Sequence, residues 1–192
     1  MIRAARLTVL ILLAVRASAL MAAADEYLVL PDGSGDFPTI AAAIEGATTG
    51  DTILLGDGTF SGPGNRDLDY MGKEITIRSQ SGDPATCRID CLTAGGGHRA
   101  FTFHFREWPE ARLEAVTISN GDVESIGQNG GAILITNGSS PVIRDCVFFA
   151  NRAENGGAID YMEDKYLTGP DASAKYFNIT RPDALEEEAV FR

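Results

Sequence analysis

Gly130-Gly131-Ala132-Ile133 returns 26 residues later as Gly156-Gly157-Ala158-Ile159. A period of about 20 to 50 residues is the signature of stacked structural units, so this pair governs how the rest of the chain is read. A second correspondence sits beside it: Leu113-x-x-Val116-x-Ile118 aligns with Ile143-x-x-Cys146-x-Phe148 at an offset of 30. Toward the N-terminus, short apolar runs occur at 52–55, 74–78 and 101–105. Leu54, Ile77, Phe103, Ile133 and Ile159 then form one series of anchors, and Ile89, Ile118 and Phe148 a second, with steps of 23 to 30 residues. Each repeat is accordingly read as two short strands separated by Gly, Asn, Asp and Ser.

Such units are too short to bury a face alone. Stacking them sets each strand about 4.8 Å from its counterpart one coil later, in parallel sheets. The predicted fold is therefore all-β, a parallel β-helix of about 4–5 coils over 51–161. A β-sandwich is the competing all-β reading, but it calls for hairpin turns rather than repeats in register. Glycines are expected at the corners, where the chain changes sheet with a positive φ. An N-terminal cap is expected over 25–50: a strand over 27–30, a turn over Asp32-Gly-Ser-Gly-Asp36, and a helix begun around Pro38. The apolar face of that helix is Ile40, Ala43, Ile44 and Ala47. A helix laid over the first coil closes sheet edges that would otherwise invite aggregation.

The ends read differently. Residues 1–24 begin with Arg3 and Arg6, run through an apolar stretch from Leu7 to Val15 and finish in small residues, the order of a secretory signal peptide. An N-terminal membrane helix is the alternative, although Arg16 cuts the apolar run short of the roughly 20 residues a span needs. Removing this leader takes away three Arg and moves the formal charge from −11 to −14. From Met162 to Arg192 the alternation stops and the expectation is an irregular tail. Asp183 and Glu186 form a capping-box pair before a short terminal helix over 184–191. With no clear C-terminal cap, the expectation is a shortened member of a longer family.

Two segments carry a resemblance. The paired GGAI motifs, with Phe148-Phe-Ala-Asn151 before the second, resemble the GGAI and FxxN repeats of chlamydial polymorphic outer membrane proteins. The stretch 27–161, including Asp32-Gly-Ser-Gly-Asp-Phe-Pro-Thr-Ile40, Ile75-Thr-Ile-Arg78 and Cys87-Arg-Ile-Asp-Cys91, resembles bacterial secreted right-handed parallel β-helices of the pectin-lyase-like fold. The resemblance implies export to the cell surface or extracellular space and contact with glycans. It does not carry catalytic residues across. The Gln segment, paired Asp motifs and Arg-Pro-Trp of pectin methylesterases are missing, and Trp108 stands instead in Glu107-Trp108-Pro109. The calcium-binding signatures of pectate lyases are missing as well.

Composition narrows the chemistry further. A pI near 4.5 removes the basic footprint that phosphate neutralisation requires, so nucleic acid is not an expected partner. Cys87, Val116 and Cys146 fall two residues before the second series of anchors and share an inward column, which makes the cysteines buried thiols. A Cys87–Cys91 bridge through a local turn is the alternative. No cofactor is expected beyond a calcium ion, for which Asp32, Asp36, Asp57, Asp67 and Asp69 in Gly-rich turns are the available oxygen donors. The competing role for those carboxylates is to close turns on their own backbone. Asn137-Gly-Ser139 and Asn178-Ile-Thr180 match the glycosylation pattern, read as chance in a bacterial-looking chain. For catalysis the one seed is outward-facing: Arg78 and His104 follow anchors of the first series and are expected on one sheet, with Asp90 on the neighbouring one. The preferred function is an exported, non-catalytic β-helix module, adhesive or glycan-binding. The alternatives are a polysaccharide lyase or esterase and a gene fragment without function of its own.

Overall fold

The computed structural model describes residues 23–91 and 96–161, together with the backbone of a short strand at 177–178. Most of the signal peptide expected over 1–24, the helix expected over 184–191 and nearly all of the tail lie outside the described residues. Strands β1 (Glu26–Val29), β2 (Thr52–Leu55), β3 (Gly58–Ser61), β4 (Leu68–Asp69), β5 (Thr76–Ser79), β6 (Cys87–Asp90) and β7 (Phe101–Phe103) build the first half. They are followed by β8 (Arg112–Glu114), β9 (Thr117–Ser119), β10 (Ile133–Ile135), β11 (Val142–Arg144), β12 (Val147–Phe149), β13 (Ile159–Tyr161) and β14 (Phe177–Asn178).

These strands wind into three parallel sheets, ordered β1-β2-β5-β8-β11-β14, β3-β6-β9-β12 and β4-β7-β10-β13. The protein is a parallel β-solenoid. Each coil contributes three strands rather than the expected two. The first anchor series was drawn across two sheets: Ile77 pairs with Ile53 in the first sheet, not with Leu54, whereas Phe101, Ile133 and Ile159 stack in the third. Coil length explains the slip. Register partners in the first sheet, Thr52, Thr76, Arg112 and Val142, are 24, 36 and 30 residues apart, so no fixed period can track them. In the second sheet the steps are even, and Ile89, Ile118 and Phe148 do stack as expected, with Phe60 below them.

One column per sheet fills the interior. Ile53, Ile77, Leu113 and Ile143 are fully buried from the first sheet, Phe60, Ile89 and Ile118 from the second, and Leu68, Phe101 and Ile133 from the third. Tyr70, Phe101 and Phe103 form an aromatic cluster with ring centroids 4.7–6.2 Å apart. The Tyr70 hydroxyl donates to the Arg112 carbonyl at 2.7 Å, which satisfies its one polar atom inside an apolar core. Cys87, Cys91 and Cys146 are buried free thiols, and the Cys87–Cys91 bridge is not formed.

The cap is built as expected. Helix α1 (Ile40–Gly46) starts at Thr39, whose side chain accepts from the Ala42 amide, and buries Ile40, Ala43 and Ile44. Its C-terminus has an unexpected partner. The Lys73 ammonium, one coil away, donates to the carbonyls of Ile44, Glu45 and Ala47 at 2.6, 2.9 and 2.8 Å. Those carbonyls carry the negative end of the helix dipole, so the cation satisfies both hydrogen bonding and charge. Among the described residues, no helix is long and apolar enough to cross a membrane.

The corners are less dependent on glycine than composition implied. Ala115 and Asp145 lead from the first sheet into the second at φ of 53° and 54°, and Asn120 and Ala150 leave the second sheet at 58° and 53°. Met71, Arg106 and Asn137 occupy the same left-handed region on the way back to the first sheet. Successive coils thus reuse one turn conformation with different side chains.

Candidate binding groove at the stacked GGAI turns

The repeat that identified the fold also forms its most distinctive surface. Gly131 and Ala132 donate from their amides to Gly156 O and Ala158 O, and Ile133 pairs with Ile159, so the two copies lie one above the other in register. Gly130 adopts φ +68°, and a Cβ at Gly131 would overlap the Gly157 carbonyl oxygen of the next coil. The first glycine therefore serves the turn and the second serves close stacking. Asn151, the last residue of the Phe148-x-x-Asn151 motif, accepts from the Gly121 amide and donates to the Ile118 carbonyl, tying its coil to the one before.

The residue before each tetrapeptide is also repeated. Asn155 donates from its side-chain amide to the Asn129 side-chain oxygen at 3.0 Å, which makes a short asparagine ladder on the outside of the turn. The motif is better written NGGAI, and the identical residues at 129 and 155 were the signal for it. The coil holding Asn129 takes four more residues between β9 and β10 than the next coil takes between β12 and β13, and uses them in a 3-10 turn at Glu124–Ile126. That extra length raises a wall beside the ladder. The groove it bounds has a volume of 540 Å³ and is lined by Arg99, Gln128, Asn129, Leu134, Glu154 and Asn155, with Gly127 at the wall.

Arg99 is the group sequence reading missed. It is 6% exposed, yet its guanidinium makes no carboxylate contact among the described residues. Its Nη1 donates to the Asn129 carbonyl at 2.8 Å and its Nη2 to Gln128 Oε1 at 2.5 Å. Burial pulls its pKa down from the ordinary arginine value, while the charges of Asp67 and Asp160 act in the opposite direction. Arginine keeps its proton in proteins, so Arg99 is a fixed cation here.

The sequence-selected residues are placed apart. Arg78 lies on β5 in the first sheet, Asp90 on β6 in the second, and His104 just after β7 in the third. The expectation that Arg78 and His104 share a sheet is therefore corrected, for the same reason that the first anchor series failed. Each also has a local partner. Arg78 sits 3.7 Å from Glu26 and next in register to Glu114, and Asp90 is 3.3 Å from Arg88 and accepts from Asn120 at 2.9 Å. His104 meets Asp69 at 2.8 Å and packs its ring on Phe105.

The five turn aspartates are similarly engaged. Asp32 and Asp69 accept from the amides two residues ahead, Ser34 and Met71, which is the turn-closing role. Asp36 accepts from Leu28, Asp57 from Thr86, and Asp67 from the Arg99 amide while meeting His98 at 2.7 Å. Among the described residues, no group of three or more His, Cys, Asp or Glu is arranged to hold a metal ion.

Comparison with protein-family models, with curated proteins and with solved structures finds no match to this chain.

Proposed function

We propose that this protein is an exported, non-catalytic β-solenoid module that binds glycan at a bacterial cell surface or in the extracellular space. One observation carries the reading: a groove of 540 Å³ in which a fixed arginine and three side-chain amides meet on stacked repeats. That volume is in the range of small-molecule sites, about 300–1,000 Å³. Amides, guanidinium and carboxylate are the groups that hydrogen-bond to sugar hydroxyls. Export is supported by the order of charged, apolar and small residues over 1–24. The kinship we propose is with right-handed pectin-lyase-like β-helices and with GGAI/FxxN surface repeats; the parallel coils and the stacked motifs support it.

The module is favoured over an enzyme because Arg78, Asp90 and His104 leave from three different sheets rather than two. The test combines retention with turnover. The purified full chain is passed over insoluble plant and bacterial polysaccharides, and the same material is assayed for unsaturated products and released methanol. Retention without product supports the module. Release of unsaturated uronides or of methanol overturns it in favour of a lyase or an esterase. N-terminal sequencing of the exported protein checks for a leader ending at Ala24.

A further inference from the structure

We infer that the Arg99 groove selects an uncharged, hydroxyl-rich saccharide chain running along the solenoid axis, and excludes uronic acids; this rests on the glycan-binding reading above. The argument begins with charge. Among the described residues Arg99 is the one cation lining the groove, and Glu154 stands on the same lining. The charges of Asp67 and Asp160 also act on the guanidinium. The nearby Arg152 is already paired with Glu124. A carboxylate entering here meets one guanidinium and one carboxylate on the lining, with the charges of Asp67 and Asp160 acting from outside it, on a chain whose formal charge is −11. Long-range repulsion and local charge both oppose an acidic sugar.

What remains is hydrogen bonding, and its pattern suits hydroxyls. Gln128, Asn129 and Asn155 each carry a donor and an acceptor on one planar group, and each sugar hydroxyl likewise donates and accepts. Two of the five guanidinium N–H groups are spent on Asn129 O and Gln128 Oε1, which fixes the plane of the side chain before any ligand arrives. A prefixed donor loses little entropy on binding. Asn129 and Asn155 occupy equivalent positions on neighbouring coils, and coils advance by about 4.8 Å. That step is close to the length of one pyranose ring in a linear chain, so successive rings meet successive asparagines. Leu134, facing outward from β10, supplies an apolar patch for the C–H face of a ring.

The experiment uses the full chain in calorimetric titrations at one ionic strength against maltohexaose, cellohexaose, mannohexaose and hexagalacturonate. At least one neutral hexasaccharide is expected to bind more tightly than hexagalacturonate. Asn155→Ala, at an exposed position, should weaken that binding at least tenfold without shifting the melting temperature. Glu154→Gln should raise affinity for hexagalacturonate severalfold relative to its affinity for the neutral sugar. Preference for hexagalacturonate in the unmodified protein overturns this inference and leaves the glycan-binding reading standing. Neutral-sugar binding that ignores Asn155→Ala also overturns it, because the sugar then sits elsewhere. Failure to bind any of the four, together with no retention on insoluble polysaccharide, overturns both.

Discussion

The Ser139 hydroxyl donates to the Glu107 carboxylate at 2.7 Å across neighbouring coils, inside a corner where Glu107 is 1% exposed. The same carboxylate accepts from the Gly72 amide of the coil below at 3.2 Å and from the Phe105 amide of its own coil at 3.0 Å. Ser139 in turn accepts from the Arg106 amide. One buried anion thereby fastens three successive coils at the corner leading back to the first sheet. Removing Ser139 leaves that anion short of a donor, and hydrogen bonds to charged groups contribute about 1.5–3 kcal/mol. Ser139→Ala is expected to lower unfolding free energy by about 2 kcal/mol in urea titration. An unchanged midpoint would show that water replaces the hydroxyl at no cost.

Lys73→Met tests the cap. Methionine keeps much of the aliphatic length but strips three carbonyls of their donor and the helix dipole of its cation. The expected loss is about 1–2 kcal/mol, with faster amide exchange concentrated in α1. Uniform exchange changes along the solenoid would instead mean that α1 is not separately fastened.

Acid should loosen the N-terminal corner. The amides of Thr48 and then of Asp25 hold the Asp51 carboxyl below the usual range, while burial opposes them. A depressed folded-state pKa means that Asp51 contributes stability above its unfolded value, about 3.9. That contribution fades as pH falls through the folded value. Asp51→Asn should therefore be less stable than the unmodified protein at pH 6, and the gap should narrow on titration toward pH 2. A gap independent of pH would assign the effect to geometry rather than charge.

The cysteines should be silent in the native state. Burial pushes the thiols of Cys87, Cys91 and Cys146 up to about 12. At pH 8 only about one thiol in ten thousand is then ionised, and thiolate is the reactive form. All three should resist iodoacetamide for hours in buffer and react within minutes in guanidinium chloride, as read by mass spectrometry. Rapid labelling of any one in buffer would show that its coil opens.

Two substitutions with opposite signs probe the corners. Ala115 adopts φ 53°, a conformation that costs an L-residue roughly 1–2 kcal/mol, whereas glycine pays instead through the freedom of the unfolded chain. Ala115→Gly should be neutral or stabilising by up to about 1 kcal/mol. Gly131→Ala drives a methyl into the Gly157 carbonyl and should lower stability by about 2 kcal/mol or more. Thermal melts of the pair rank them; a destabilised Ala115→Gly would contradict the strain argument.

How far the sequence could be read follows from where coil lengths stay constant. Ile89, Ile118 and Phe148 were found because the second sheet repeats at nearly even steps, and GGAI over GGAI because those turns match residue for residue. The series passed from Ile77 to Phe103 of the third sheet because the first-sheet step changes there from 24 to 36 residues, and Leu54 stood in for its neighbours because the run Ile53-Leu54-Leu55 shows no alternation. The third strand of each coil escaped notice where it shrinks to the two residues of β4. Arg99 and Glu107 carry no local pattern, since their partners belong to other coils about 30 to 35 residues away and only the wound chain brings them near.

The cap also gives the solenoid a direction. With β1 laid beside β2 and α1 covering the start, every later coil finds its hydrogen-bonding template already in place on the N-terminal side. Nearest-neighbour architectures of this kind gain stability one interface at a time. Assembly can then advance coil by coil from the N-terminus, each coil setting on the last as its final residues arrive, with no need to wait for distant parts of the chain.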